Sequence, residues 1–219
     1  MAVRDRQDVV WHVLDAVARV ILTLTFRVRW IGVRNLPRTG PAILAANHVS
    51  PLDPIIIALA PSARGRTLNF LAAAEFFDRP VIGWLLRALH QIPVRRGAAD
   101  WQALEELAAV VRHGSLAGIF PEGRIGDGSA LGRGQRGAAR LALAAGVPVI
   151  PIAIWGTHIR WPRKGPRAMR PIRPRVTIVF GEPILGEGSP RDREAVRALT
   201  DRIMASIASN LAVAKSRDR

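Results

Sequence analysis

The amino-acid sequence predicts an α/β fold: a single domain with a central mixed β-sheet flanked by helices, plus an N-terminal amphipathic helix. Short apolar runs alternate along the chain with segments of helical periodicity, the order typical of strands and helices packed in layers. With 219 residues, of which 49% are hydrophobic, the chain has the length of one domain and can bury a full core. It has no cysteine, which excludes disulfides and cysteine-bound metals.

The elements follow one another in chain order. Apolar runs predict strands at residues 26–33, 42–46, 68–73, 91–94, 116–120, 147–155 and 176–180. Helical spacing predicts helices at residues 9–26, 54–59, 80–89 and 138–145, one between Asp100 and Gly114, and a last one starting at Ser189-Pro190. The run at 26–33 alternates apolar and basic residues, which indicates a half-buried strand, whereas the run at 42–46 is apolar throughout and indicates a buried one.

The helix at residues 9–26 carries His12, Asp15 and Arg19, and these interrupt it too often for a membrane span of about 20 apolar residues. Asp15 and Arg19 stand four positions apart and can pair on one face. The other face is apolar, at Val10, Val13, Leu14, Val17, Ile21 and Leu24. Such a helix either lies in a membrane interface or packs on the domain as a core helix, and the sequence leaves both open.

The formal net charge of +15 indicates an anionic partner: a nucleic acid, a phosphorylated ligand or the headgroups of a membrane. Nucleic-acid modules combine such charge with stacking aromatic residues, but aromatics make up only 5% of this chain and tyrosine is absent. No nucleic-acid partner is therefore expected. The five histidines show no metal-binding spacing, so no metal is expected either.

A histidine and an aspartate stand close together in the segment Asn47-His48-Val49-Ser50-Pro51-Leu52-Asp53-Pro54. On a regular helix their side chains would point about 140° apart, but the prolines favour a turn that can fold Asp53 back onto His48. A carboxylate bonded to one ring nitrogen sets the tautomer and leaves the other nitrogen as a base. The structural alternative is a helix cap, with Ser50 capping a helix that starts at Pro51 and Asp53 as the capping-box acid.

A second signature stands downstream, at Phe120-Pro121-Glu122-Gly123. His-x4-Asp followed by Phe-Pro-Glu-Gly, with a basic stretch between them and an apolar proline-containing strand after them, resembles the glycerolipid acyltransferases, which include bacterial 1-acylglycerol-3-phosphate acyltransferase. The resemblance covers most of the chain. It implies an acyltransferase domain at residues 35–219, behind an N-terminal segment, residues 1–34, that holds a membrane-associating helix and a lead-in strand.

The resemblance also implies roles for particular residues. His48 is the expected general base and Asp53 orients it. Four residues are expected to bind substrate: Arg96, Glu122, Gly123 and Arg124. Because ligands of open α/β sheets bind at the carboxyl ends of strands, we expect His48, Arg96 and Glu122 at one edge of the sheet. The family continues its second motif with Thr-Arg-Ser, whereas this chain has Arg124-Ile125-Gly126, which leaves the identity of the acceptor open.

The implied reaction transfers a fatty acyl group from acyl-CoA or acyl carrier protein to the hydroxyl of a lysophospholipid. The expected acceptor is 1-acylglycerol 3-phosphate, giving phosphatidic acid in phospholipid biosynthesis, with no cofactor besides the thioester donor. The expected location is peripheral, at the anionic surface of the cytoplasmic face of the cell membrane. Two alternatives stay open: a remodelling acyltransferase for another lysolipid, and a non-catalytic basic protein that binds membrane or nucleic acid.

Overall fold

The computed structural model of the chain describes residues 9–95, 101–165 and 173–217. Seven strands among these residues form one sheet: β1 (Arg27–Ile31), β2 (Ala42–Ala46), β3 (Leu68–Ala73), β4 (Ile92–Val94), β5 (Leu116–Ile119), β6 (Val149–Trp155) and β7 (Arg175–Phe180). Their order in space is β1-β7-β6-β2-β5-β3-β4. The strand expected within residues 1–34 is β1, and it lies in this sheet beside β7.

The sheet is mixed, as the sequence predicts. Its five neighbouring strands β6, β2, β5, β3 and β4 run parallel to one another. By contrast, β7 runs antiparallel to β6, and β1 runs parallel to β7. The five parallel strands therefore end along one edge, which we call the carboxyl edge, and β1 begins there. Ligands of open α/β sheets bind at such an edge.

Helices cover both faces of the sheet. They are α1 (Val9–Thr25), α2 (Asp53–Ser62), α3 (Pro80–Ala88), α4 (Trp101–Arg112), α5 (Gly137–Ala145), α6 (Thr157–Arg160) and α7 (Arg193–Ser216). The central strand β2 shows the layering, because Leu44 packs in one core with Ile57 of α2, whereas Ile43 packs in the opposite core with Leu107 of α4 and Ile203 of α7. All five β2 residues are fully buried. This explains why the strand reads as an uninterrupted apolar run.

Most element boundaries agree with those predicted, and β2 and β3 span the predicted residues. The prediction that the last helix starts at Ser189-Pro190 is wrong, because α7 begins at Arg193. Asp192 is its N-cap and accepts the N–H of Glu194 at 2.8 Å, so the helix can begin only after that residue. A four-residue helix, α6, follows β6 in a segment for which no helix is predicted.

Helix α1 packs one side on the domain, where Trp11 and Leu22 are buried beside the Asp15–Arg19 pair, and turns a second, apolar side outward. The Arg19 side chain donates to Asp15 on the same helix at 2.7 Å. It also donates to the Leu59 carbonyl at 3.0 Å and to the Ser62 hydroxyl at 2.6 Å, so it fastens α1 to α2. Five apolar side chains on the other side are 49% to 68% exposed: Val13, Val17, Val20, Ile21 and Leu24. The outward side of an ordinary surface helix is polar, whereas that of α1 is largely apolar.

No helix in the described ranges is both long enough and apolar enough to cross a membrane.

Candidate active site

Three polar side chains follow neighbouring strands at the carboxyl edge. His48 comes shortly after β2, Glu122 after β5 and Thr157 after β6. Because β2 lies between β5 and β6, these three residues emerge side by side. The expectation that His48 and Glu122 share one edge is therefore confirmed.

His48 and Asp53 form a hydrogen-bonded pair. His48 Nδ1 lies 3.0 Å from Asp53 Oδ2, and the two side chains are 14% and 0% exposed. The fold-back that the prolines predict is thus confirmed. A carboxylate at Nδ1 favours the tautomer with the proton on Nδ1 and the lone pair on Nε2. No hydrogen bond from a described residue engages Nε2.

The Asp53 carboxylate accepts three further hydrogen bonds. The backbone N–H groups of Val49 and Ser50 donate to Oδ2 at 2.7 and 2.8 Å. The Thr157 hydroxyl donates to Oδ1 at 2.6 Å. Four donors on one fully buried carboxylate offset the cost of removing its charge from water and fix its orientation toward the histidine.

The helix-cap alternative is met in its hydrogen bonds but not in the start of α2. This helix begins at Asp53 rather than at Pro51, and its N-cap residue, Leu52, makes no side-chain capping bond. The Ser50 hydroxyl accepts the N–H of Leu52 at 3.2 Å, which closes the turn between the histidine and the helix. The Asp53 carboxylate accepts the N–H of Ser50, as a capping-box acid does, and it binds His48 through the same oxygen. The turn therefore both caps the helix and orients the histidine.

Glu122 is buried, and both of its carboxylate oxygens bind backbone groups. Oε1 accepts the N–H of His48 at 2.9 Å, and Oε2 accepts the N–H of Gly132 at 2.7 Å. A Cβ at Gly132 would lie 2.6 Å from Oε2 and would push the carboxylate off this bond. The Gly126 N–H in turn donates to the His48 carbonyl at 2.7 Å. Glu122 thus holds the backbone of the histidine and closes the loop 123–132, a role that sequence reasoning did not predict.

Aromatic packing holds the imidazole ring of His48 in place. The ring stacks on Phe120 with centroids 3.9 Å apart and planes 14° apart. Phe120 stacks in turn on Phe70 of β3, at 5.1 Å. The ring is therefore held by its aspartate at one nitrogen and by an aromatic face, which restricts its rotation.

The other residues expected to bind substrate lie beyond β5 and β4. Gly123 makes the turn after β5 with φ 65°, and Arg124 is exposed. Arg96 lies outside the described residues, although β4, which precedes it, ends at Val94 on the carboxyl edge. Substrate binding by Gly123, Arg124, Arg96 and Glu122 stays a prediction.

The loop after Gly123 also carries an acid, Asp127. Ser129 donates to its Oδ1 from the hydroxyl at 2.6 Å and from the backbone N–H at 2.9 Å. These bonds, the hydroxyl bond first, lower the pKa of the Asp127 carboxyl below its usual value. The loop therefore holds a fixed negative charge between the exposed Arg124 and Arg133.

Sequence reasoning missed two residues of this site. Thr157 binds Asp53, and Gly156 before it has φ 103° and lies so near the Arg175 carbonyl that a Cβ would come within 2.0 Å. The Asn47 side chain donates to the Ile154 carbonyl at 3.0 Å and accepts its N–H at 2.8 Å, which joins the ends of β2 and β6. Asn47 stands next to His48 in the sequence, and that proximity was the available signal.

These groups orient the His48 imidazole as a base that has no protein nucleophile beside it among the described residues. In the part of the chain that the structure describes, no hydroxyl or thiol side chain hydrogen-bonds His48, and no three His, Cys, Asp or Glu side chains group as a metal site. A buried aspartate that orients a histidine at the carboxyl edge suits an enzyme whose substrate supplies the nucleophile.

Comparison with known protein families identifies the family to which the chain belongs. The chain belongs to the acyltransferase family, because the family model described as Acyltransferase matches residues 27–155, more than half of the 219 residues. This confirms the resemblance to glycerolipid acyltransferases that the two motifs carry.

Individual proteins of the family are similar to this chain. The 1-acyl-sn-glycerol-3-phosphate acyltransferase of Limnanthes alba is 36% identical over 148 residues, covering 65% of this chain and 50% of that protein. The lyso-ornithine lipid O-acyltransferase of Pseudomonas aeruginosa is 38% identical over 139 residues, covering 63% and 50%. The chain thus spans about half the length of these two relatives.

A solved structure extends the likeness to nearly the whole chain. It is the 1-acyl-sn-glycerophosphate (LPA) acyltransferase PlsC from Thermotoga maritima, with a TM-score of 0.70 at 25% sequence identity. The match covers 95% of this chain and 84% of that one. The α/β fold predicted from the sequence is confirmed.

Proposed function

We propose that this protein transfers a fatty acyl group from an acyl thioester, acyl-CoA or acyl carrier protein, to the hydroxyl of a lysophospholipid. The proposed acceptor is 1-acylglycerol 3-phosphate, and the product is phosphatidic acid for phospholipid biosynthesis. The observation that carries the proposal is the His48–Asp53 pair, with its 3.0 Å hydrogen bond and its fully buried carboxylate. The names of the Limnanthes and Thermotoga relatives support the same acceptor.

In the proposed reaction His48 is the general base. The acceptor hydroxyl oxygen attacks the thioester carbonyl carbon while Nε2 takes the hydroxyl proton, and Asp53 stabilises the imidazolium that forms. The tetrahedral intermediate then expels the thiolate, which takes the proton from His48 and leaves as a free thiol. An alcohol is too weak an acid to attack unaided, and base catalysis of this kind typically contributes ~10²–10⁴-fold.

The proposed acceptor site uses the basic residues beyond the strands. Arg96 and Arg124 hold the acceptor phosphate, with Gly123 giving the backbone turn, because guanidinium forks match phosphate oxygens in pairs. Glu122 supports the site through the N–H of His48, to which it is bonded at 2.9 Å. The reaction as proposed uses no cofactor besides the thioester donor.

A second candidate differs only in the acceptor. The chain has Arg124-Ile125-Gly126 where the family has Thr-Arg-Ser, and one relative is named a lyso-ornithine lipid O-acyltransferase. Both observations favour a remodelling enzyme that uses another lysolipid. The base and the donor are the same in the two cases.

The enzyme is proposed to work as a peripheral protein at the cytoplasmic face of the cell membrane. Two apolar surfaces support this attachment. One is the exposed side of α1, and the other lies on α3, where Val81 and Trp84 are 77% and 55% exposed. Apolar side chains at such exposures, together with a net charge of +15, suit an anionic membrane interface.

A thiol-release assay tests the proposed reaction. Both donors are offered with a panel of acceptors that includes 1-acylglycerol 3-phosphate and a lyso-ornithine lipid, and the products are identified by mass. We expect thiol release only when donor and acceptor are both present, with phosphatidic acid as the product. Preference for the lyso-ornithine lipid would select the second candidate. Absence of acceptor-dependent release across the panel would contradict both.

A further inference from the structure

A groove lined by arginines lies at the end of α1, on the same carboxyl edge as the His48–Asp53 pair, with β6 between the two in the sheet order. It has a volume of about 560 Å³ and is bounded by the last turn of α1, by β1 and β7, and by the end of α7. Five arginines line what we call the arginine groove: Arg27, Arg29, Arg173, Arg175 and Arg217.

These arginines stand close to one another. The strand register pairs Arg27 with Arg175, so two like charges sit on parallel strands about 4.8 Å apart. Like charges directly opposite one another destabilise a sheet. Among the described residues, no acidic side chain lines the groove, and no ion pair involves Arg27, Arg29 or Arg175. An anion in the groove would remove this repulsion.

Protection of the β1 edge against pairing with another chain explains only part of the positive charge in the arginine groove. Basic side chains on an edge strand prevent pairing with another chain, which accounts for Arg27 and Arg29 on β1. Arg175 lies on β7, which is an interior strand, and Arg217 is the C-cap of α7. These two residues add charge where no sheet edge needs protection.

Phosphate is the anion that suits the groove. Each guanidinium presents a planar fork that matches two phosphate oxygens, and here the forks come from β1, β7 and α7. The groove volume falls within the range of about 300–1,000 Å³ that is usual for small-molecule sites. The Arg173 side chain also donates to the Thr23 carbonyl, which ties the groove to the last turn of α1.

The groove adjoins the exposed apolar side of α1, which points to a lipid phosphate rather than a soluble one. Thr23 and Phe26 line the groove, and Leu24 between them is 68% exposed. Trp30 also lines it, and tryptophan is enriched at the headgroup level of membranes. An interfacial helix places its apolar side among acyl chains and its basic neighbours among headgroups. A soluble anion has no need of the adjoining apolar side.

We propose that the arginine groove binds the phosphate headgroup of an anionic phospholipid while α1 lies in the membrane interface. The bound lipid is a component of the membrane and not the acceptor, so the groove anchors the protein beside its substrate. The inference rests on the proposed membrane attachment and is independent of the proposed reaction.

The test compares two double variants that lose the same charge. Arg27→Gln/Arg175→Gln alters the groove. Arg191→Gln/Arg193→Gln is the control, at the other end of α7, roughly 36 Å from Arg217 by helix rise.

Binding is measured by cosedimentation with vesicles of phosphatidylcholine, with and without phosphatidylglycerol. We expect the groove variant to bind the anionic vesicles about 25-fold more weakly, about fivefold per arginine. The control should change less than about twofold, because its charges lie several Debye lengths from the interface.

Three outcomes would overturn the proposal. Equal losses in the two variants would show that the attraction comes from diffuse surface charge. Release from anionic vesicles by inorganic phosphate at constant ionic strength would show that the groove takes free phosphate. A raised acyl-CoA KM for the groove variant in detergent micelles, with vesicle binding intact, would make the groove a donor site. If the unaltered enzyme releases no thiol with any acceptor, the proposed reaction fails while the vesicle comparison still decides the groove.

Discussion

The His48–Asp53 pair depends on a hydroxyl 104 positions further along the chain. Thr157 donates to Asp53 Oδ1 at 2.6 Å, opposite the oxygen that faces the histidine. The aspartate is therefore held from both sides, by Thr157 on one oxygen and by His48 and two backbone N–H groups on the other. This arrangement makes Thr157 a positioning residue for the proposed base.

Thr157→Val should lower kcat about 10- to 150-fold and leave both KM values unchanged. A hydrogen bond to a charged group contributes about 1.5–3 kcal/mol, and each 1.4 kcal/mol or so is a factor of ten in rate. Thiol release with varied donor and acceptor measures the effect, and Thr157→Ser, which keeps the hydroxyl, should restore kcat. Loss of thermal stability in the valine variant with kcat intact would give Thr157 a purely structural role.

Glu122→Gln separates the role seen in the structure from the role expected from the family. An amide can accept the N–H of His48 or that of Gly132, but its NH₂ opposes the other donor, so stability should fall by about 1–3 kcal/mol. We expect kcat to fall as well, because the histidine backbone shifts. A normal melting temperature with a raised acceptor KM would instead place Glu122 in contact with the acceptor.

At the scale of elements, α1 combines features of both alternatives, since one side packs on the domain and the other exposes apolar side chains. Its charged pair faces α2, Trp11 and Leu22 are buried, and its second apolar side is exposed. A helix packed on the core would bury Val17 and Ile21, yet they are 49% and 55% exposed. The exposed side suits the proposed membrane interface, while Trp11 and Leu22 pack on the domain.

Val17→Asp/Ile21→Asp should abolish vesicle binding and leave the melting temperature nearly unchanged. Exposed substitutions of this kind usually change stability by less than about 0.5 kcal/mol, whereas charge in the acyl region opposes insertion. The control is Leu185→Asp/Ala198→Asp, which adds the same charge at exposed positions away from α1. A lower melting temperature with normal vesicle binding would instead return α1 to the core.

For the whole molecule, the charge of +15 predicts an attachment to anionic membranes that salt can reverse. At about 1 M salt the Debye length falls to about 3 Å, which screens the attraction to anionic lipid. High salt or alkaline carbonate should therefore release the protein from anionic vesicles, as judged by flotation. Retention through both washes, with release only by detergent, would contradict a peripheral attachment.

The sequence predicted local features well and long-range contacts poorly. β2 was identified correctly because a strand buried on both faces is apolar throughout, and the fold-back of Asp53 follows from nearby prolines. Thr157 could not be found this way, because the spatial neighbourhood of β2 and β6 follows from sheet order and not from spacing. The start of α7 was misplaced because Ser189 and Asp192 are both good caps, and only the backbone distinguishes them.

The central claim is that His48 is the general base of an acyl transfer, and His48→Ala tests it most directly. Its kcat in the thiol-release assay should fall ~10²–10⁴-fold, with its melting temperature and lysolipid binding nearly unchanged. Asp53→Asn should also be severe, and the double variant should be no slower than His48→Ala, because both residues serve one proton transfer. Near-normal turnover by a well-folded His48→Ala protein would contradict the claim.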